Sequence, residues 1–170
     1  PPGLTDLIES RIGALPTPVG DVVDVLSVAE PLDLAVLTRI TDKGAVEEAE
    51  MRGLIAVEPA GSAIEVRTAH PLYGQVRRMR APRTRLRRLR GLVAAELAST
   101  VDCDEVRVVV RRATLVDESD LAPDADLFTR AAHGAVGLGD LLLADRMAQA
   151  AVRAGAGGEL DLVRAHALSW

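Results

Sequence analysis

His70 is the residue of this chain best placed to do chemistry. It stands in Ala69-His70-Pro71-Leu72-Tyr73-Gly74, where an alternating segment gives way to a helical one. An imidazole at a helix start can meet an anion, because the first backbone N–H groups of a helix lack partners and its dipole favours negative charge. The same position suits a side chain that simply caps the helix, and the residues alone leave both roles open. Beyond it run eight arginines without an acid among them, from Arg77 to Arg90. Guanidinium groups present forked N–H donors that fit phosphate or carboxylate. Nucleic acid is one partner for such a run. It has no interleaved aromatic for base stacking, however, and a solvated or intramolecularly paired face is the commoner use. Arg77, Arg78, Arg80, Arg83, Arg87 and Arg90 are therefore taken as candidate anion or intramolecular contacts.

Charge is segregated along the chain. The net charge is −5. Residues 1–70 carry twelve acids against five bases, residues 71–95 carry eight arginines and no acid, and residues 96–170 carry thirteen acids against seven bases. The basic block thus stands between two acidic ones, and its electrostatic partner is expected within the same polypeptide. The segment 43–52 sets Glu47, Glu48 and Glu50 against Lys43 and Arg52. A DNA backbone repels such a surface, so this helix is a poor groove reader.

Other chemistry finds little support. There is no Gly-rich phosphate loop, no nucleophile elbow and no His-Glu-x-x-His, so no catalytic residue is assigned and the chain is not read as an enzyme. Cys103 is alone, which excludes a disulfide framework and a cysteine metal site. His133 and His166 sit among alanines and read as packing or surface residues, and no metal site is expected. With 48 % hydrophobic residues and Tyr73, Phe128 and Trp170 as the aromatics, the cores must be aliphatic. No apolar run reaches the roughly 18–20 residues of a membrane span, and there is no signal-peptide pattern. A cytoplasmic setting without membrane contact is expected. The chain opens on Pro-Pro-Gly and ends on Trp170 inside an apolar run, so it reads as an excised piece of a longer protein.

The elements that must position these residues are mostly helical. Apolar spacing predicts helices over 4–14, from Val19 to Ala29, after Asp33 through Ile40, and from Thr41-Asp42 through Met51 with Gly53 as its stop. Leu54–Glu58 and Ile64–Thr68 read as strands around a Pro59-Ala60-Gly61-Ser62 turn. Pro71 suits the first turn of the next helix. Helices followed by a two-stranded wing is the order of a winged-helix domain, placed at 1–80. Residues 81–118 are read as linking helices with the basic stretch, where Leu86, Leu89, Val93 and Leu97 make one apolar stripe. Residues 104–116 fit a helix by spacing, although Val108-Val109-Val110 has strand propensity. From 119 to 170 an antiparallel helix pair is expected, turning at Gly139-Asp140, with a further helix from near Glu159. Ala132-His133 recurs as Ala165-His166, and Leu127 as Leu160. That offset lies close to the 34-residue period of tetratricopeptide repeats, so this region reads as the start of such repeats.

Taken in order, several stretches resemble the middle of large actinobacterial LuxR-family regulators of the MalT-like signal-transduction ATPase type. They are Leu7-Ile8-Glu9-Ser10-Arg11-Ile12-Gly13-Ala14-Leu15-Pro16, Val25-Leu26-Ser27-Val28-Ala29-Glu30-Pro31-Leu32, Glu50-Met51-Arg52-Gly53-Leu54-Ile55, Ala69–Gly74, Arg87–Arg90 and Leu138-Gly139-Asp140. The resemblance implies a nucleotide-binding ATPase upstream and a DNA-binding helix-turn-helix downstream, both outside this chain. ADP or ATP would be bound by the parent protein, with no cofactor held by this segment alone. In the wider class a Met-His-Asp-type motif ends the winged helix, and its histidine contacts the phosphate of bound ADP. Ala69-His70-Pro71 takes the similar place, with Pro71 where that motif has an acid. The implied function is an internal regulatory segment that couples nucleotide state and inducer sensing to DNA binding elsewhere. The implied partners are the flanking domains of its own chain, and the activated protein would form homo-oligomers. The alternative is a free-standing winged-helix DNA-binding repressor with a helical dimerisation arm, against which the acidic helix at 43–52 argues.

Overall fold

The computed structural model describes Ile12 and residues 15–157. Apart from Ile12, which is helical and buried, the helix expected over 4–14 lies outside the described residues, as does the one from Glu159, with Leu160 and His166. The chain divides into two compact units, residues 1–96 and 97–170. The stretch 81–118 that the sequence sets apart is shared between them. The described chain is mainly helical, with one small antiparallel sheet. No helix among the described residues is long and apolar enough to cross a membrane.

In the first unit, α1 (Thr17–Ala29) carries the core. Val19, Val22, Val23, Val25 and Leu26 on it are buried. It begins two residues before the expected Val19, since Pro18 is tolerated in a first turn whose N–H groups have no partner anyway. Two further helices follow, α2 (Leu34–Ile40) and α3 (Lys43–Met51). Asp33 Oδ1 accepts the Ala35 N–H at 2.7 Å, and Asp42 Oδ1 accepts the Ala45 N–H at 2.9 Å. Each supplies an acceptor that the helix start otherwise lacks.

The strands β2 (Ile55–Ala60) and β3 (Ala63–Thr68) pair from Ile55↔Thr68 to Ala60↔Ala63. The turn is therefore Gly61-Ser62 alone, shorter than the four-residue cluster expected. Pro59 belongs to β2, an edge strand, where a missing N–H is tolerated. A third strand, β1 (Leu32–Asp33), pairs with the other side of β3 through Leu32↔Val66, giving the order β1-β3-β2. Two residues are too few to show alternation, which is why the sequence does not announce it. Two helices follow, α4 (Pro71–Arg80) and α5 (Arg83–Ala98), joined by Ala81-Pro82, and the last two residues of α5 fall in the second unit.

The second unit contains α6 (Val106–Asp117), α7 (Ala125–Gly137) and α8 (Leu141–Arg153). The valine-rich segment is a helix, because Val109, Val110, Ala113 and Val116 share one buried face at helical spacing. Between α7 and α8, Gly139 takes φ 77°, and the Asp140 N–H reaches back to Ala135 O at 2.9 Å. This left-handed cap turns the chain antiparallel, as the Gly-Asp pair suggested. Buried alanines at 131, 132, 135, 144, 148 and 151 let α7 and α8 approach closely, and Phe128 and Met147 fill the remaining space.

Candidate functional site

His70 is exposed and stands as N-cap of α4, where its Nδ1 accepts the Leu72 N–H at 3.2 Å. When Nδ1 accepts, a neutral imidazole carries its proton on Nε2 and can donate from there. The ring also leans on Tyr73, centroids 5.8 Å apart. Beside it, Glu30 Oε2 accepts both the Thr68 N–H at 2.9 Å and the Thr68 Oγ1–H at 2.6 Å. That carboxylate fastens the loop after α1 to the end of β3, and so fixes the strand exit that delivers His70. Capping and anion contact are compatible roles here, since they use different ring nitrogens.

The other end of α4 holds a denser cluster. Gly20, Asp24 and Ser27 form one stripe on α1 at helical spacing, all buried. Gly74 of α4 faces Ser27, and a Cβ at Gly74 would lie 3.5 Å from the Ser27 Cα. Over this stripe Arg77 donates from Nε to Asp24 Oδ1 at 2.5 Å and from Nη2 to Gly20 O at 3.3 Å. A side chain at Gly20 would collide with Arg77, because its Cβ would lie 2.9 Å from Nη2. Arg85 of α5 donates from Nε to the second oxygen of Asp24 at 2.9 Å and from Nη2 to Asp21 Oδ1 at 2.5 Å. The Asp24 side chain is only 4 % exposed, while Arg77 and Arg85 are 24 % and 29 % exposed. Burial works to lower the Arg85 pKa. The hydrogen bonds and charges of Asp24 and Asp21 outweigh it, and the pKa lies above its ordinary value, so the guanidinium stays charged.

The structure thus sorts the arginine run. Arg77 makes an intramolecular contact with an acid of the preceding block, as charge segregation suggested. Arg77, Arg80 and Arg85 meet around a cleft of about 200 Å³ at the Ala81-Pro82 elbow, with Asp24 in its wall. Arg78, Arg83 and Arg87 are exposed and Arg90 is half-buried, and none of these four lines the cleft. His70 is not brought to the cleft either, since α4 separates them by about 10–15 Å of helix rise. Two residues were missed by sequence reasoning. Asp24 interrupts the apolar run Val22-Val23-Asp24-Val25-Leu26, and a lone acid there signals a buried cationic partner. Arg85 was seen in the run but not singled out, because only the fold turns it inward.

The second unit carries an open groove of about 590 Å³ between α6 and α7, floored by Val106, Val109 and Leu138 and flanked by Arg130 and Asp104. Arg130 pairs with Asp104 at 2.6 Å, both well exposed. His133 is a surface residue whose Nδ1–H donates to Thr129 O at 2.9 Å. No group of three metal-ligating side chains occurs among the described residues. Compared with protein-family models, curated proteins and solved structures, the chain has no match.

Proposed function

We propose that this chain is the regulatory middle of a LuxR-type signal-transduction ATPase. In this reading the first unit is a winged-helix domain, and α6–α8 begin a tetratricopeptide-like array. The chain itself performs no catalysis. It relays the nucleotide state of an upstream ATPase, and inducer binding at the helical repeats, to a downstream DNA reader. The observation that carries the reading is His70. Its Nδ1 is spent on the α4 cap, leaving an exposed ring with an Nε2–H to donate at a helix N-terminus, which suits the terminal phosphate of ADP held on a neighbouring domain. Such a bond would favour the ADP-bound resting state. ATP exchange and inducer would favour an open, oligomerising state, provided each ligand binds the two states with different affinity.

In the full-length protein, His70→Ala is expected to release bound ADP about tenfold faster, the worth of one hydrogen bond to a charged group. ADP retained as in wild type sinks the assignment. A reading frame with no phosphate-binding Gly-Lys-Thr/Ser loop upstream of Pro1 sinks the whole reading.

A free-standing DNA-binding repressor is disfavoured by two features. Glu47, Glu48 and Glu50 lie on α3, and part of the arginine charge is neutralised by Asp21 and Asp24. Titrating this chain with labelled duplex DNA at about 150 mM salt should give no saturation below about 10 μM, the range of non-specific binding. Tighter binding with a steep salt dependence would make the repressor the leading reading.

A further inference from the structure

The groove between α6 and α7 has no part in the contact assigned to His70. Along α7, Arg130, His133, Gly134 and Gly137 recur at helical spacing and line it as one stripe. A glycine costs a helix stability relative to alanine, so each of the two invites a reason. Gly134 has one in packing, because a Cβ there would lie 3.0 Å from Val106 Cγ1 and 3.1 Å from Val110 Cγ2. Gly137 has none of that kind. Its φ is not left-handed, and a Cβ there would meet nothing within 4 Å. What Gly137 leaves is open space in the groove, beside Val106 and Leu138, which are large, apolar and exposed. We propose that this groove binds an α-amino acid with an apolar side chain. Its carboxylate sits on Arg130, its ammonium on Asp104 and His133, and its side chain over Val106, Val109 and Leu138.

The rim supplies both signs of charge. Arg130 spends one Nη2–H on Asp104 Oδ1, at 2.6 Å, and makes no other hydrogen bond among the described residues. Its second Nη2–H and the N–H beside it remain as a fork of two parallel donors, which a carboxylate fits. Asp104 uses one oxygen, so Oδ2 is open to an ammonium. His133 donates from Nδ1 to Thr129 O, so in the neutral ring Nε2 is an acceptor and offers the ammonium a second partner. A cation, an anion and a neutral acceptor on one rim complement a zwitterion, whose two charges flank a single carbon. A simple anion would meet Asp104 as well, and a simple cation would meet Arg130. Arg130 and Asp104 are 50 % and 80 % exposed, and so exposed a pair opens readily to a ligand's charges. Below the rim the floor is apolar, and the volume of about 590 Å³ falls in the range of small-molecule sites. Covering that floor with an aliphatic side chain removes apolar surface from water on both partners. The site stands on these residues alone and does not depend on the ATPase reading.

The test is an NMR titration of the ¹⁵N-labelled 170-residue chain, reading the backbone amides of Gly134 and Gly137. L-leucine should give shifts that saturate at millimolar concentrations. Glycine, which lacks the apolar side chain, should give none that saturate. Isocaproate is leucine without its ammonium, and isoamylamine is leucine without its carboxylate. Each should bind about threefold more weakly than leucine, the worth of one exposed ion pair. Gly137→Leu fills the groove and should abolish saturation, and with nothing within 4 Å of its Cβ the fold is kept. Asp104→Asn should weaken leucine by the same factor of about three and leave isocaproate no weaker, since isocaproate has no ammonium to lose. No saturation with leucine, isocaproate or isoamylamine binding as tightly as leucine, or saturation that survives Gly137→Leu overturns the proposal. The readout involves neither His70 nor a nucleotide, so failure of one assignment leaves the other standing.

Discussion

Asp24→Ala is expected to destabilise the first unit by about 3 kcal/mol, the lower part of the range for breaking a buried ion pair. The substitution removes the one acceptor shared by the Nε–H groups of Arg77 and Arg85, and it leaves two partly buried guanidinium groups behind. Their 24 % and 29 % exposure lets water recover some of the loss, and Arg85 keeps Asp21, which is why the upper part of the range does not apply. The contrast is Arg39→Ala. It breaks the Arg39–Glu96 pair at 2.7 Å, whose members are 46 % and 31 % exposed, and should cost less than about 1 kcal/mol. Urea denaturation followed by circular dichroism reads both. If Asp24→Ala matches Arg39→Ala, the buried cluster is not what holds α4 and α5 to α1. A further variant separates charge pairing from packing. Replacing Asp24 with Leu together with Arg77 and Arg85 with Met should recover much of the loss, because no buried charge is then left unpaired, and the Asp21 that loses Arg85 is 44 % exposed to water.

What could be read in the sequence was local. Asp33, Asp42, Asp124 and Asp140 each precede an apolar periodic run, and each accepts a backbone N–H from the first turn of its helix. The Gly139-Asp140 turn was equally legible, since its glycine and its cap lie within five residues of the partners they bond. What escaped was long-range. β1 is a strand only because Val66, 34 residues on, pairs with Leu32. Asp24 meets partners 53 and 61 residues away, and nothing near it in the sequence says which arginines will turn inward. The arginine run was visible as charge, but its division into an inward set and an exposed set depends on helix phase. Tyr73 is buried on α4, and Arg77, four residues later, follows it onto the same face. His70 was legible as a cap.

In the second unit the largest effect is expected at Phe128. Its ring is 2 % exposed and, among the described residues of this unit, is the one large aromatic in a core otherwise built of alanine, valine, leucine and methionine. Phe128→Ala is expected to cost about 3–5 kcal/mol, because the alanines around it are too short to close the cavity. A domain of this size has roughly 4–11 kcal/mol in hand, so the variant should lose most of its protection against hydrogen exchange across α7 and α8. Phe128→Leu keeps more of the volume and should cost less than half as much. The readout is peptide-resolved hydrogen exchange by mass spectrometry. A loss under about 1 kcal/mol at Phe128→Ala would mean that the core is already loose. That outcome would also weaken the proposed function. An array that receives an inducer must carry a binding event along packed helices with two discrete arrangements, and a loosely packed first repeat could not transmit one. A stiff core with a costly Phe128→Ala is what a relay through α7 and α8 requires.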